Sequence, residues 1–135
     1  MINFRIISKI IGSLLCIEAL FMSLCAALAF YYHEEDQIAF LMSLLITFGS
    51  GFLFLLLGRN SENSLNRKDA YLLVTATWII FSFFGMFPFL IHGSISNLTD
   101  AFFETMSGFT TTGASIIDDV EVLPHGILFW RSLMQ

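Results

Sequence analysis

Residues 98–115 read Leu-Thr-Asp-Ala-Phe-Phe-Glu-Thr-Met-Ser-Gly-Phe-Thr-Thr-Thr-Gly-Ala-Ser, and the fold turns on where this stretch is placed. Its apolar part, Leu98 to Gly108, would be about 16 Å long as a helix, roughly half of a hydrocarbon core about 30 Å thick. A polar, glycine-containing segment and Pro124 follow, and from Ile127 the chain turns apolar again through Leu128-Phe129-Trp130. Helix, loop, helix is the simplest account. Backbone that is not helical is tolerated at membrane depth only where protein shields it or where it lines a wet cavity. The other account makes Thr110 to Ser115 an ordinary polar exterior loop after an amphipathic interfacial helix.

The surrounding sequence is that of a membrane protein. Of 135 residues, 56% are hydrophobic and 13% charged, and sixteen are phenylalanine, leaving too little polar surface for a soluble domain. The length suits three or four crossings. A first apolar run, Ile10 to Tyr32, is long enough to span and ends on the aromatic Phe30-Tyr31-Tyr32. Arg5, Lys9 and the small residues Cys25-Ala26-Ala27 resemble a cleaved signal peptide. The run is too long for that, and a second follows at once. That second run, Ile38 to Leu57, carries Gly49-Ser50-Gly51, which permits close helix contact. A polar loop from Ser61 to Asp69 leads to a third run, Ala70 to Ile91, which Pro88 is expected to kink or end.

Arg5, Lys9, Arg59, Arg67 and Lys68 fall on one side if the runs alternate, and that side is expected to be cytoplasmic. The acidic patches Glu34-Glu35-Asp36 and Asp118-Asp119-x-Glu121 then face outward, either as a cation-concentrating vestibule or as solvated loops. A net charge of -5 gives no basic face for nucleic acid. Cys16 and Cys25, nine positions apart in one run, lie on roughly opposite helix faces and read as apolar fillers.

Extended backbone at Thr-Thr-Thr-Gly can aim its carbonyls at a pore. A dehydrated potassium ion needs several oxygen ligands, and rings of carbonyls supply them without a fixed full charge. Thr111 and Thr112 are the candidate ligands, and Gly113 supplies the φ freedom that lets successive carbonyls point one way. The short helix, entered from outside, directs its negative C-terminal end at this segment. Asn97 or Thr99 is expected to cap its start. Asn97-Leu98-Thr99 also fits a glycosylation pattern, read here as coincidence.

Glu104 would be costly facing lipid, so it is expected to brace the loop from behind by bonding to backbone or pairing with Arg131. Glu18, in the middle of the first span, reads as a protonated or protein-paired group rather than a functional one. His33, His92 and His125 lack metal-site spacing, and no nucleophile elbow or phosphate loop is present, so an enzyme is not expected.

The run from Asp100 to Ser115 resembles the first pore loop of the TrkH family of bacterial potassium-uptake proteins. The likeness continues through Leu123-Pro124-x-Gly126-Ile127-Leu128-Phe129-Trp130-Arg131-Ser132. The resemblance implies an all-α membrane protein of transmembrane helices plus a re-entrant pore helix and filter loop. Four helix, pore-loop, helix repeats would surround one pore. Residues 1–69 would be an extra N-terminal helix pair with a cytoplasmic loop, and 70–135 the first repeat, truncated in its second helix. Carried over by position, the filter falls on Thr110, Thr111, Thr112, Gly113 and Ala114, with Thr111 and Thr112 as potassium ligands. Potassium is the transported ion, and no organic cofactor is implied. The resemblance further implies the bacterial inner membrane with a cytoplasmic N-terminus, a homodimer, and a cytoplasmic nucleotide-binding regulatory subunit, TrkA.

The competing reading is a small polytopic membrane scaffold or assembly subunit without transport activity. One wall cannot surround a bare ion, so the 135-residue chain alone is expected not to restore growth of a potassium-uptake-deficient bacterium on low potassium. Restored growth would refute the one-wall reading.

Overall fold

The first helix, α1 (Phe4–Tyr32), starts six residues before the apolar run expected from hydropathy. Arg5 and Lys9 sit within it because Ile6, Ile7 and Ile11 share one buried face, and an amphipathic turn stays helical on packing alone. The computed structural model describes residues 2–61 and 65–135. After α1 come α2 (Gln37–Leu57), α3 (Arg67–Gly85), α4 (Phe87–His92), α5 (Leu98–Phe109) and α6 (His125–Met134). Three stretches are long and apolar enough to cross a membrane: Phe4–Tyr32, Gln37–Leu57 and Arg67–His92. Of the expected polar loop, residues 62–64 lie outside the described residues, and Arg67 to Asp69 already belong to α3.

Helices α1 and α2 form a hairpin with the largest interface in the structure. His33 stops α1 in the left-handed region at φ 54°, and Glu34 N–H closes the turn on the Ala29 carbonyl at 3.2 Å. The hairpin packs closely through glycine. A Cβ on Gly12 would lie 2.7 Å from both the Gly51 carbonyl oxygen and the Leu55 nitrogen. Of the expected glycine pair only Gly51 makes the contact, since Gly49 faces open space.

Pro88 does not mark the exit of the third crossing. The helix breaks at Met86, and Leu90 N–H bonds back to the Met86 carbonyl at 3.2 Å. Pro88, in the first turn of α4, needs no N–H there. The true stop is Gly93, at φ 84° with its N–H on Phe89.

Two clusters hold the helices together. Ile6, Ile7, Ile11 and Leu15 of α1 meet Phe54, Leu73 and Ile80. Met22, Cys25 and Ala29 meet Phe40, Phe89, Ala101, Ile127 and Trp130, so α1 backs both the short helix and α6. Outward, Leu45 and Leu57 are each 68% exposed and Tyr71 78%, an apolar girdle suited to lipid or further helices rather than water.

The two ends differ in charge. Gly58 packs on Lys9 and Arg5, and the Asn3 N–H reaches Asp69 at 3.1 Å, which gathers the basic termini of α1, α2 and α3 at one end. Glu34, Glu35 and Glu121 border one cavity at the other.

Gly12→Ala should lower the detergent melting temperature of the protein, since overpacking against backbone costs about 1–3 kcal/mol. Gly49→Ala should hold or raise it, because alanine is favoured over glycine in an open helix position by about 1 kcal/mol. The reverse order would refute the α1–α2 packing described.

Candidate functional site

The candidate site is built on α5, whose twelve residues begin at Leu98, just after Asn97. The Asn97 side chain accepts the Thr99 N–H at 3.2 Å and acts as the cap. On its inner face Thr105 Oγ1 donates to the Ser82 carbonyl of α3 at 3.1 Å. A Cβ on Gly85 would lie 2.9 Å from the Phe109 ring, so α3 and α5 approach closely there. From the other side Trp130 Nε1 of α6 donates to the Gly85 carbonyl at 3.0 Å, and Gly108 packs on Met134.

At its C-terminal end the chain wraps back over the helix. The N–H groups of Thr110, Thr111 and Thr112 bond the carbonyls of Met106, Gly108 and Ser107 at 3.0, 2.9 and 3.0 Å. This closure places Thr111 at φ 56° and Gly113 at φ 76°. Gly113 has the left-handed conformation anticipated for it. Thr111 has it too, where a β-branched residue is strained. Thr110 Oγ1 lies 2.8 Å from Thr112 Oγ1 and donates to the Met106 carbonyl at 2.7 Å, which settles the hydroxyls locally. The carbonyls of Thr110, Thr111, Thr112 and Gly113 accept no hydrogen bond from the described residues, and residues 110–116 are exposed.

Beyond this tip the chain runs back beside α5. Ser107 Oγ donates to the Ala114 carbonyl at 2.6 Å. Ser115 Oγ donates to Glu104 at 3.0 Å from each carboxylate oxygen, and Ile116 N–H to Oε2 at 3.1 Å. Ile117 and Asp118 thereby return to the start of α5, where they border a cleft with Asn97 and Asp100. Glu104, 4% exposed, also accepts Arg131 Nε of α6 at 2.8 Å. Both contacts expected of Glu104, backbone and Arg131, are therefore present, and one buried carboxylate ties the returning chain to two helices.

Glu18 behaves differently. It is 3% exposed, and neither carboxylate oxygen has a hydrogen-bond partner among the described residues, so the pairing expected as one option is not found there. It sits against Gly85 and borders a small cavity with Phe109 and Trp130. Cys16 and Cys25 are free, as filler residues would be.

The histidines hold what sequence reading missed. Although far apart in the chain, His33, His92 and His125 border one cavity with Glu34 and Glu121. The Glu34 carboxylate accepts the His125 N–H at 2.7 Å and meets its Nδ1 at 2.8 Å, while Tyr32 stacks on the ring at 4.2 Å. Partial burial pushes the Glu34 carboxyl up, but the bonds from the His125 ring and backbone outweigh this and hold it below the usual carboxylate range. Asp36, fully buried under α6, is lifted above its ordinary value by that burial and, secondarily, by the Glu34 charge. No sequence signal links residues 91 positions apart.

Glu104→Ala would leave Ser115, Ile116 and Arg131 without their acceptor. Removing one member of a buried ion pair costs about 3–5 kcal/mol, so the melting temperature of the purified protein should fall, and less so for Glu104→Gln. An unchanged melting temperature in Glu104→Ala would show that the brace does not form.

Residues 35–135 match the TrkH family, described as cation transport protein. The chain is 34% identical over 134 residues to the Trk system potassium uptake protein TrkH of Halomonas elongata, covering 98% of this chain and 28% of that protein. It is 35% identical over 130 residues to TrkG of Escherichia coli, covering 95% of this chain and 27% of that one. The crystal structure of the potassium transporter TrkH from Vibrio parahaemolyticus superposes with a TM-score of 0.91 at 32% identity, over 98% of this chain and 29% of that one. The chain thus spans a little over a quarter of the length of these relatives. With a matching family over most of its length and the same helical arrangement in a solved relative, this chain belongs to the TrkH family of cation transporters and is not an enzyme.

Proposed function

We propose that this chain supplies one wall of a potassium-selective pore, with residues 110–114 as the filter segment and the carbonyls of Thr111 and Thr112 as ion ligands. The observation that carries this reading is the tip of the α5 hairpin. Four successive residues have carbonyls free of internal bonds, while the chain on either side is pinned to α5. A dehydrated cation needs such oxygens held in advance, so that its lost water is replaced without reorganisation. The C-terminal end of α5 adds a partial negative charge beside them.

In this reading α5 and residues 110–118 enter and leave the membrane from one face, and residues 70–135 form the first of four repeats behind the extra pair in residues 1–69. The clustering of basic residues at one end supports a cytoplasmic N-terminus in the bacterial inner membrane. The resemblance also supports a homodimer served by the nucleotide-binding subunit TrkA. Three further walls would complete the ion's coordination shell.

Gly113→Ser tests the filter in a full-length transporter carrying this segment. A Cβ there meets nothing within 4 Å, so the effect is conformational rather than steric. A non-glycine residue in the left-handed region costs about 1–2 kcal/mol, so the potassium-to-sodium flux ratio should fall by roughly a factor of ten while the protein still assembles. An unchanged ratio would remove residues 110–114 from the filter.

A further inference from the structure

The short helix α6 presents a capping problem. It starts after Pro124, whose side chain makes no cap, so the first N–H groups of α6 lack a local acceptor. The acceptor comes from the turn between α1 and α2. Glu34 Oε2 takes the His125 N–H at 2.7 Å and Oε1 takes the ring Nδ1 at 2.8 Å, with Tyr32 stacked 9° from parallel on the same ring. A carboxylate at a helix N-terminus is also favoured by the helix dipole. Beside it, Gly126 lies so close to the buried Asp36 carboxylate that a Cβ would collide with it, so the first turn of α6 is seated directly on the α1–α2 turn.

Six residues further along α6, about 9 Å at the helical rise, stands Arg131. Its Nε bonds Glu104 at 2.8 Å, and Glu104 in turn holds Ser115 and Ile116. A slide of α6 along its axis would carry Arg131 with it and change the length or angle of that bond. The position of α6 along its axis therefore bears on the returning strand of the α5 hairpin.

We propose that Glu34 is a positioning residue for the pore: by gripping the start of α6 from the α1–α2 turn, it sets the axial position of Arg131 and so the brace behind residues 114–116. The proposal rests on the reading of residues 110–114 as filter. It gives the N-terminal hairpin a part in ion selectivity, exerted through α6.

The test measures potassium and sodium fluxes in proteoliposomes holding the full-length transporter. Their ratio does not depend on how much protein is incorporated. Glu34→Leu removes the grip and should lower the ratio roughly two- to thirtyfold, the range of a lost helix cap. Glu34→Gln keeps an acceptor for the His125 N–H and should restore most of it. Combined with Glu104→Ala, Glu34→Leu should add little further loss, because both act through one linkage. Pro124→Asp, which supplies a local cap, should not rescue Glu34→Leu, since it steadies the helix without tying it to the hairpin. An unchanged ratio in Glu34→Leu, full additivity with Glu104→Ala, or rescue by Pro124→Asp would each overturn the proposal. If Gly113→Ser alters the ratio and Glu34→Leu does not, only the positioning role fails; if Gly113→Ser has no effect, the filter reading fails first.

Discussion

Burying a carboxylate among helices is costly unless hydrogen bonds answer it, and the arrangement around Glu104 supplies them. Its partners come from three directions: Arg131 on α6, the Ser115 hydroxyl, and the Ile116 backbone. Those contacts turn the chain after α5 back along the helix rather than letting it run outward. At the tip of the hairpin the carbonyl oxygens of residues 110–113 accept no hydrogen bond among the described residues, while those of Ser107, Gly108 and Ala114 beside it do. Rigidity on both flanks and free oxygens between them are what ion coordination by backbone demands.

Strain is concentrated at the same tip. Closing the end of α5 places Thr111 in the left-handed region, where glycine is the usual occupant, and a true glycine follows two positions later. Hydrogen bonds from three consecutive N–H groups to the last turn of α5 hold that conformation.

The hairpin α1–α2 is more than a lipid-facing addition. Its apolar face supplies Met22, Cys25, Ala29 and Phe40 to the cluster beneath α5 and α6, and its turn supplies Glu34 and Asp36 to the start of α6. Packing and polar contacts thus act on the same short helix. Close approach at Gly12 and Gly51 keeps the two long helices together.

Much of this was readable from residue order. Three spans followed from run length and hydropathy. The short helix followed from an apolar stretch too brief to cross, and its cap was narrowed to Asn97 or Thr99, of which Asn97 serves. For Glu104, backbone bonding or pairing with Arg131 could be anticipated, because an acid facing lipid is costly, and both contacts are present. Where the sequence misled, local signals had competing resolutions. Pro88 read as a kink or an exit; the break at Met86 bears out the kink, while the stop came only at Gly93, because proline is at home in a first helical turn. Gly49 and Gly51 looked equivalent until packing chose one. What tertiary structure alone decided were contacts between distant positions: Glu34 with His125, Glu18 against Gly85, and the convergence of three histidines. Periodicity reports which face of a helix is apolar, but it carries no record of the axial offset between helices, and these contacts depend on that offset.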